Sequence, residues 1–154
     1  MKRTSTADLA VVAASLAIIV YAFLRVAYES VPPVGYGIAV PLLVLAVAEL
    51  VAARRVHGAV MHDPHAKPMA AIVIARCVAL GKASALVAAG MIGACLGLLI
   101  RVGPDSGTVR AASGDLRVGI GVLVVSGLLL VAGLLLERAG VDPGRGNPQR
   151  PGPA

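Results

Sequence analysis

Four stretches of this chain are apolar for about the length of a membrane-crossing helix, and no other feature constrains the fold as tightly. About 20 mostly apolar residues in helical form are needed to cross about 30 Å of hydrocarbon. The first stretch runs from Leu9 to Tyr28, with Arg25 near enough to its end to snorkel. The second runs from about Pro33 or Tyr36 to Ala53, and Pro32-Pro33 suits a helix start because proline's missing N–H costs nothing in a first turn. Pro41 then falls about two turns in, where a kink is expected. The last, Val118–Leu136, carries no charge at all. Composition agrees. Charged residues are 14% of the chain, against about a quarter in a soluble domain. Too few charges remain to cover a water-facing surface. Two cysteines exclude a disulfide scaffold, and the absence of Trp leaves little aromatic surface for stacking bases.

The third stretch is longer than a span. From Met69 to Ile100 only Arg76, Lys82 and Ser84 interrupt an apolar run, and a straight helix of that length would reach roughly 48 Å. Burying Arg76 and Lys82 deeply would cost about 2.5–3.5 kcal/mol each. A core of residues 83–100, with 69–82 as a helical extension into the cytoplasm, avoids that cost. The expected fold is therefore an all-α membrane protein: four helices in an antiparallel up-down bundle over residues 1–138. The Gly/Pro-rich tail, 139–154, is expected to be disordered.

Counting Lys and Arg orients the bundle. Lys2, Arg3, Arg54, Arg55, Lys67, Arg76, Lys82, Arg138, Arg145 and Arg150 share one side, while Arg25, Arg101, Arg110 and Arg117 take the other. The basic side stays cytoplasmic, which puts both termini there and places the chain in the plasma membrane. The net charge of +6 follows from this bias and needs no nucleic acid. Tyr21, Phe23, Tyr28 and Tyr36, the four aromatic residues, gather around the first outer turn as an interfacial belt. The basic start and first apolar run resemble a signal peptide, but the run is long and lacks an A-x-A site. An uncleaved first span is expected.

The polar residues offer few chemical groupings. Gly81-Lys82-Ala83-Ser84 has Arg76 where a phosphate-binding loop needs its first glycine, and it sits in a helical segment. His57, His62 and His65, with Asp63, are weak metal candidates in the loop after the second span, at a spacing that fits no defined site. Cys77 and Cys95 lie eighteen residues apart on one helix, about 27 Å along its axis, so they cannot bond within the chain. No catalytic set and no cofactor motif is visible. Glu49 stands out: it lies about five residues inside Arg54, roughly 7 Å from the cytoplasmic edge. An intramembrane carboxylate calls for a partner or a polar path. Arg76 and Lys82 lie at the same boundary, so an ion pair between the second and third helices is expected. Gly81, Ala85, Ala89, Gly93 and Gly97 form a small-residue ladder at every fourth position, a face suited to close helix packing.

The stretch Ala75-Arg76-Cys77-Val78-Ala79-Leu80-Gly81-Lys82-Ala83-Ser84-Ala85 resembles the signature AR-x-x-AL-x-KASA of an actinobacterial membrane family, the domain of unknown function 3180. The four-span order from about residue 5 to 138 resembles that family too. The resemblance implies an integral membrane protein, often encoded beside folate-biosynthesis enzymes, with Arg76, Lys82 and Ser84 at signature positions. It implies no established activity. Taken with the residues, it suggests a structural or accessory protein that acts through helix packing and partner contacts and is not an enzyme. The alternative is an oligomeric small transporter or channel with Glu49 and Lys82 on its path. Partners are expected to be the lipid bilayer and either a second copy or a larger membrane complex.

Overall fold

The computed structural model describes residues 5–27, 35–61, 69–105 and 110–140. They form four helices: α1 Thr6–Ala27, α2 Ala39–Val60, α3 Ala71–Val102 and α4 Arg110–Ala139. There is no strand among the described residues. Each helix is long and apolar enough to cross a membrane. Ser5 starts α1, its hydroxyl accepting from the Ala7 N–H at 3.2 Å while its carbonyl accepts from Leu9. Asp8 adds a negative charge to that first turn, where the helix dipole favours one.

The second helix corrects the expected boundaries. A 3-10 turn at Tyr36–Ile38 leads into α2, which begins at Ala39 and runs past Arg54 and Arg55 to Val60. Pro41 is thus in the first turn, where its N–H would have no helical partner anyway. The expected mid-helix kink has no cause there. His57 belongs to the last turn of α2 and is exposed, whereas His62 and His65 lie outside the described residues. Ala139, assigned to the tail by sequence, is the buried last residue of α4.

The helices pack in the order α1–α3–α4–α2, and only α3 and α4 are neighbours both in sequence and in broad contact. Between α2 and α3 the contact is slight, and the α1 backbone approaches neither α2 nor α4 closely. Direction alternates along the chain. Leu9 packs by Ala85 and Ala89, Ala13 by Gly93 and Ala17 by Gly97, so α1 and α3 run parallel. Ala46 packs by Leu129, and Val56 by Leu136 and Ala139, so α2 and α4 also run parallel. Gly81 meets Gly133 while Cys95 meets Val118 and Val122, so α3 and α4 are antiparallel.

The outer helices leave large apolar side chains exposed, among them Val11, Ile18 and Ile19 on α1 and Val40, Val44 and Val47 on α2. In water that would be a liability. In hydrocarbon it is the ordinary lipid-facing surface, and close packing must come from small residues. All five ladder residues of α3 are buried. A Cβ on Gly93 would overlap the Ala13 carbonyl, and one on Gly97 would stand 2.5 Å from the Ala17 oxygen. The lowest rung serves a different neighbour, as Gly81 faces α4. Nor does α3 leave the bundle at its start: Ile74 and Cys77 pack on a cluster built by α2 and α4.

Candidate functional site

Two of the buried polar residues, Ser84 and Glu137, lie where α3 crosses α4. A Cβ on Gly81 would lie 2.7 Å from the Gly133 oxygen, and a Cβ on Gly133 would lie 2.8 Å from the Gly81 oxygen. Two facing glycines therefore let the backbones touch. That crossing fixes the antiparallel register, and the register brings two opposite charges together. One residue beyond Gly81 is Lys82, and one turn beyond Gly133 is Glu137. The Lys82 ammonium lies 3.6 Å from Glu137 Oε1, with the side chains 30% and 6% exposed. The lysine keeps contact with the surface while the carboxylate is enclosed, so the pair fits a charged site at a membrane edge.

Ser84 is buried at the same crossing. Its hydroxyl donates back to the Leu80 carbonyl at 2.9 Å and lies 3.2 Å from the Gly81 carbonyl. This back-bonding satisfies a hydroxyl inside a helix without a partner from elsewhere.

Glu49, on α2, is 1% exposed. The expected partners do not reach it. Arg76 is exposed, and Lys82 is directed at Glu137, which follows the last residue of the fourth apolar stretch. The correction has a geometric cause: α2 packs chiefly on α4 and barely touches α3, so the α3 cations belong to α4. The Ser84 hydroxyl lies toward the Glu49 carboxylate, but its proton serves its own helix, and neither Glu49 oxygen has a hydrogen-bond partner. Ser126, fully buried on α4, is likewise without one. Among the described residues no group of three His, Cys, Asp or Glu could hold a metal ion. Cys77 and Cys95 are free thiols, Cys77 partly buried and Cys95 buried.

The family model described as Protein of unknown function (DUF3180) matches residues 9–143. The chain belongs to this family. The match takes in all four helices and the crossing of α3 with α4. No curated protein and no solved structure matches the chain significantly. Of the three polar residues singled out on α3, Lys82 and Ser84 lie at the crossing, and Arg76 is exposed.

Proposed function

We propose that this DUF3180 member is a multi-pass protein of the plasma membrane, with both termini cytoplasmic, that acts as an accessory protein through helix packing and partner contacts rather than catalysis. One observation carries the reading: two of the three polar residues singled out on α3 are engaged within the helix bundle. Lys82 is committed to Glu137, and Ser84 bonds back to its own backbone. Residues kept for turnover would face a cavity able to admit a substrate, and these face another helix. The partners are then a second copy or a larger membrane complex. Purification in mild detergent tests this. The chain should emerge with another membrane polypeptide or as an oligomer, and recovery as a bare monomer from native membranes would overturn the reading. Topology is tested by single cysteines at Ser5, Ser106 and Gly144 in a chain with Cys77 and Cys95 replaced by Ala. Only the Ser106 position should label from outside intact cells.

A second reading, ion or proton movement through an oligomer, is favoured by Glu49. A fully buried carboxyl without a hydrogen bond is costly, and binding a proton or cation would relieve that cost. Proteoliposomes of the wild type and of Glu49→Gln separate the two readings. Flux that depends on Glu49 supports transport, and equal flux in both removes it.

A further inference from the structure

Glu49 is 1% exposed, and neither of its carboxyl oxygens has a hydrogen-bond partner. We propose that Glu49 is a proton-binding site, in which the carboxyl takes up a proton and donates it in a hydrogen bond to the Ser84 hydroxyl oxygen. This rests on the reading of Glu49 as an ion site, and it selects the proton over a metal cation.

Packing places the two residues together. Ala46 on α2, Ala88 on α3 and Leu129 on α4 share one cluster. Helix α2 is parallel to α4 and therefore runs antiparallel to α3. Three residues onward from Ala46 is Glu49, and four residues back from Ala88 is Ser84. Each step is about one turn toward the end that holds Lys82, so the two residues meet at one level, and the Ser84 hydroxyl lies toward the carboxyl. The same hydroxyl borders α4, where a Cβ on Gly133 would lie 3.1 Å from it. Ala53, Val56 and Leu136 close the next level. The carboxyl is thus held between two apolar layers, where an ionised group without a partner is costly.

The supply of donors selects the proton. An ionised carboxylate accepts but does not donate, and a hydroxyl has one proton to give. Ser84 gives that proton to the Leu80 carbonyl, 2.9 Å away. Its oxygen keeps lone pairs but offers Glu49 no donor. A carboxyl that gains a proton becomes a donor itself, and the hydroxyl oxygen is free to accept. A hard metal cation would gather about six oxygen ligands, and among the described residues no three His, Cys, Asp or Glu are grouped to supply them. The charged groups on the surrounding helices are engaged or turned outward. Lys82 and Glu137 lie 3.6 Å apart, and Arg54, Arg55, Arg76 and Arg138 are exposed. The Cys77 thiol packs on the cluster of Ala53 and Val56.

Infrared spectra of the full-length protein in detergent, taken across a pH series, test the site. A protonated carboxyl shows a C=O band distinct from that of a carboxylate. The wild type should show one that declines as the pH is raised and that is missing in Glu49→Gln. The glutamine amide donates to Ser84 as the protonated carboxyl would, so that variant should stay folded. Ser84→Ala takes away the acceptor and should weaken proton binding roughly threefold to tenfold, the scale of one hydrogen bond, which moves the decline to lower pH. No Glu49-dependent band at any pH at which the protein stays folded would overturn the proposal. So would a band that does not respond to pH, or a midpoint unmoved in Ser84→Ala. Flux in proteoliposomes decides the transport reading separately. A titrating band without Glu49-dependent flux keeps the proton site and removes transport, whereas such flux without the band keeps transport and removes the proton site.

Discussion

Glu137 on α4 and Glu49 on α2 are both buried carboxylates, yet one meets a lysine at 3.6 Å and the other meets no hydrogen-bond partner. The difference arises from where each helix packs. The Gly81–Gly133 crossing draws α3 onto α4 and carries Lys82 to Glu137, whereas α2 packs chiefly on α4 and has only slight contact with α3, none of it bringing Lys82 to Glu49. A buried pair is expensive to break because the survivor keeps its desolvation cost without its partner. A buried carboxyl that makes no bond contributes nothing to lose. Glu137 is thus a part of the architecture, and Glu49 is held by the fold without supporting it.

The largest effect should come from attacking the crossing that creates the difference. Gly133→Val would push side-chain atoms into the Gly81 carbonyl, and overpacking of this kind costs about 1–3 kcal/mol or more. Detergent-extracted folded protein should fall sharply, and retention of wild-type stability would show that the helices do not need the glycine contact. Next in size is Lys82→Met, which takes the ion pair away from Glu137. Complete burial would make the loss about 3–5 kcal/mol, and the partial exposure of Lys82 brings it to roughly 1–2 kcal/mol. Adding Glu137→Gln to Lys82→Met should restore part of that stability in chemical or thermal unfolding. A double variant worse than the sum of its parts would contradict the pair.

Glu49→Gln comes third and runs against the ion pair expected from the sequence. Stability should stay within about 1 kcal/mol of the wild type or rise, since no bond is removed. A drop comparable to that of Lys82→Met would mean Glu49 has a partner after all. The smallest effect is a coupling of zero: losses from Glu49→Gln and Lys82→Met should add within about 0.5 kcal/mol, as independent sites do. A larger interaction energy in that double-mutant cycle would rejoin the two carboxylates into one network.

Much of this was legible from residue type alone. The spans could be read because an apolar run of given length has few other uses. The five-rung ladder of α3 was visible as a pattern, and all five positions are buried. What the pattern could not carry was the neighbour: Gly81 serves α4 while Gly93 and Gly97 serve α1. Spacing along one helix does not reveal which helix faces it. The start of the second span stayed open between Pro33 and Tyr36, because Pro32-Pro33 and Pro41 each suit a first turn and an apolar run has no period that chooses between them; the described helical segment begins at Tyr36. Glu137 was passed over as a partner for a similar reason. Only the register of α3 against α4 places it beside Lys82, and that register is fixed by two glycines more than fifty residues apart.

The order α1–α3–α4–α2 also sets a timetable for the growing chain. The first two helices to leave the ribosome have no close contact with each other among the described residues, and every broad interface includes α3 or α4. Until residues near Gly93 and Gly97 emerge, α1 has nothing to dock on, and α2 must wait longer still, for α4. Each must therefore persist in lipid as a solitary helix, which its apolar length permits. A chain halted after α2 would leave two separate passengers in the bilayer with no fold between them. Assembly belongs to the second half of synthesis.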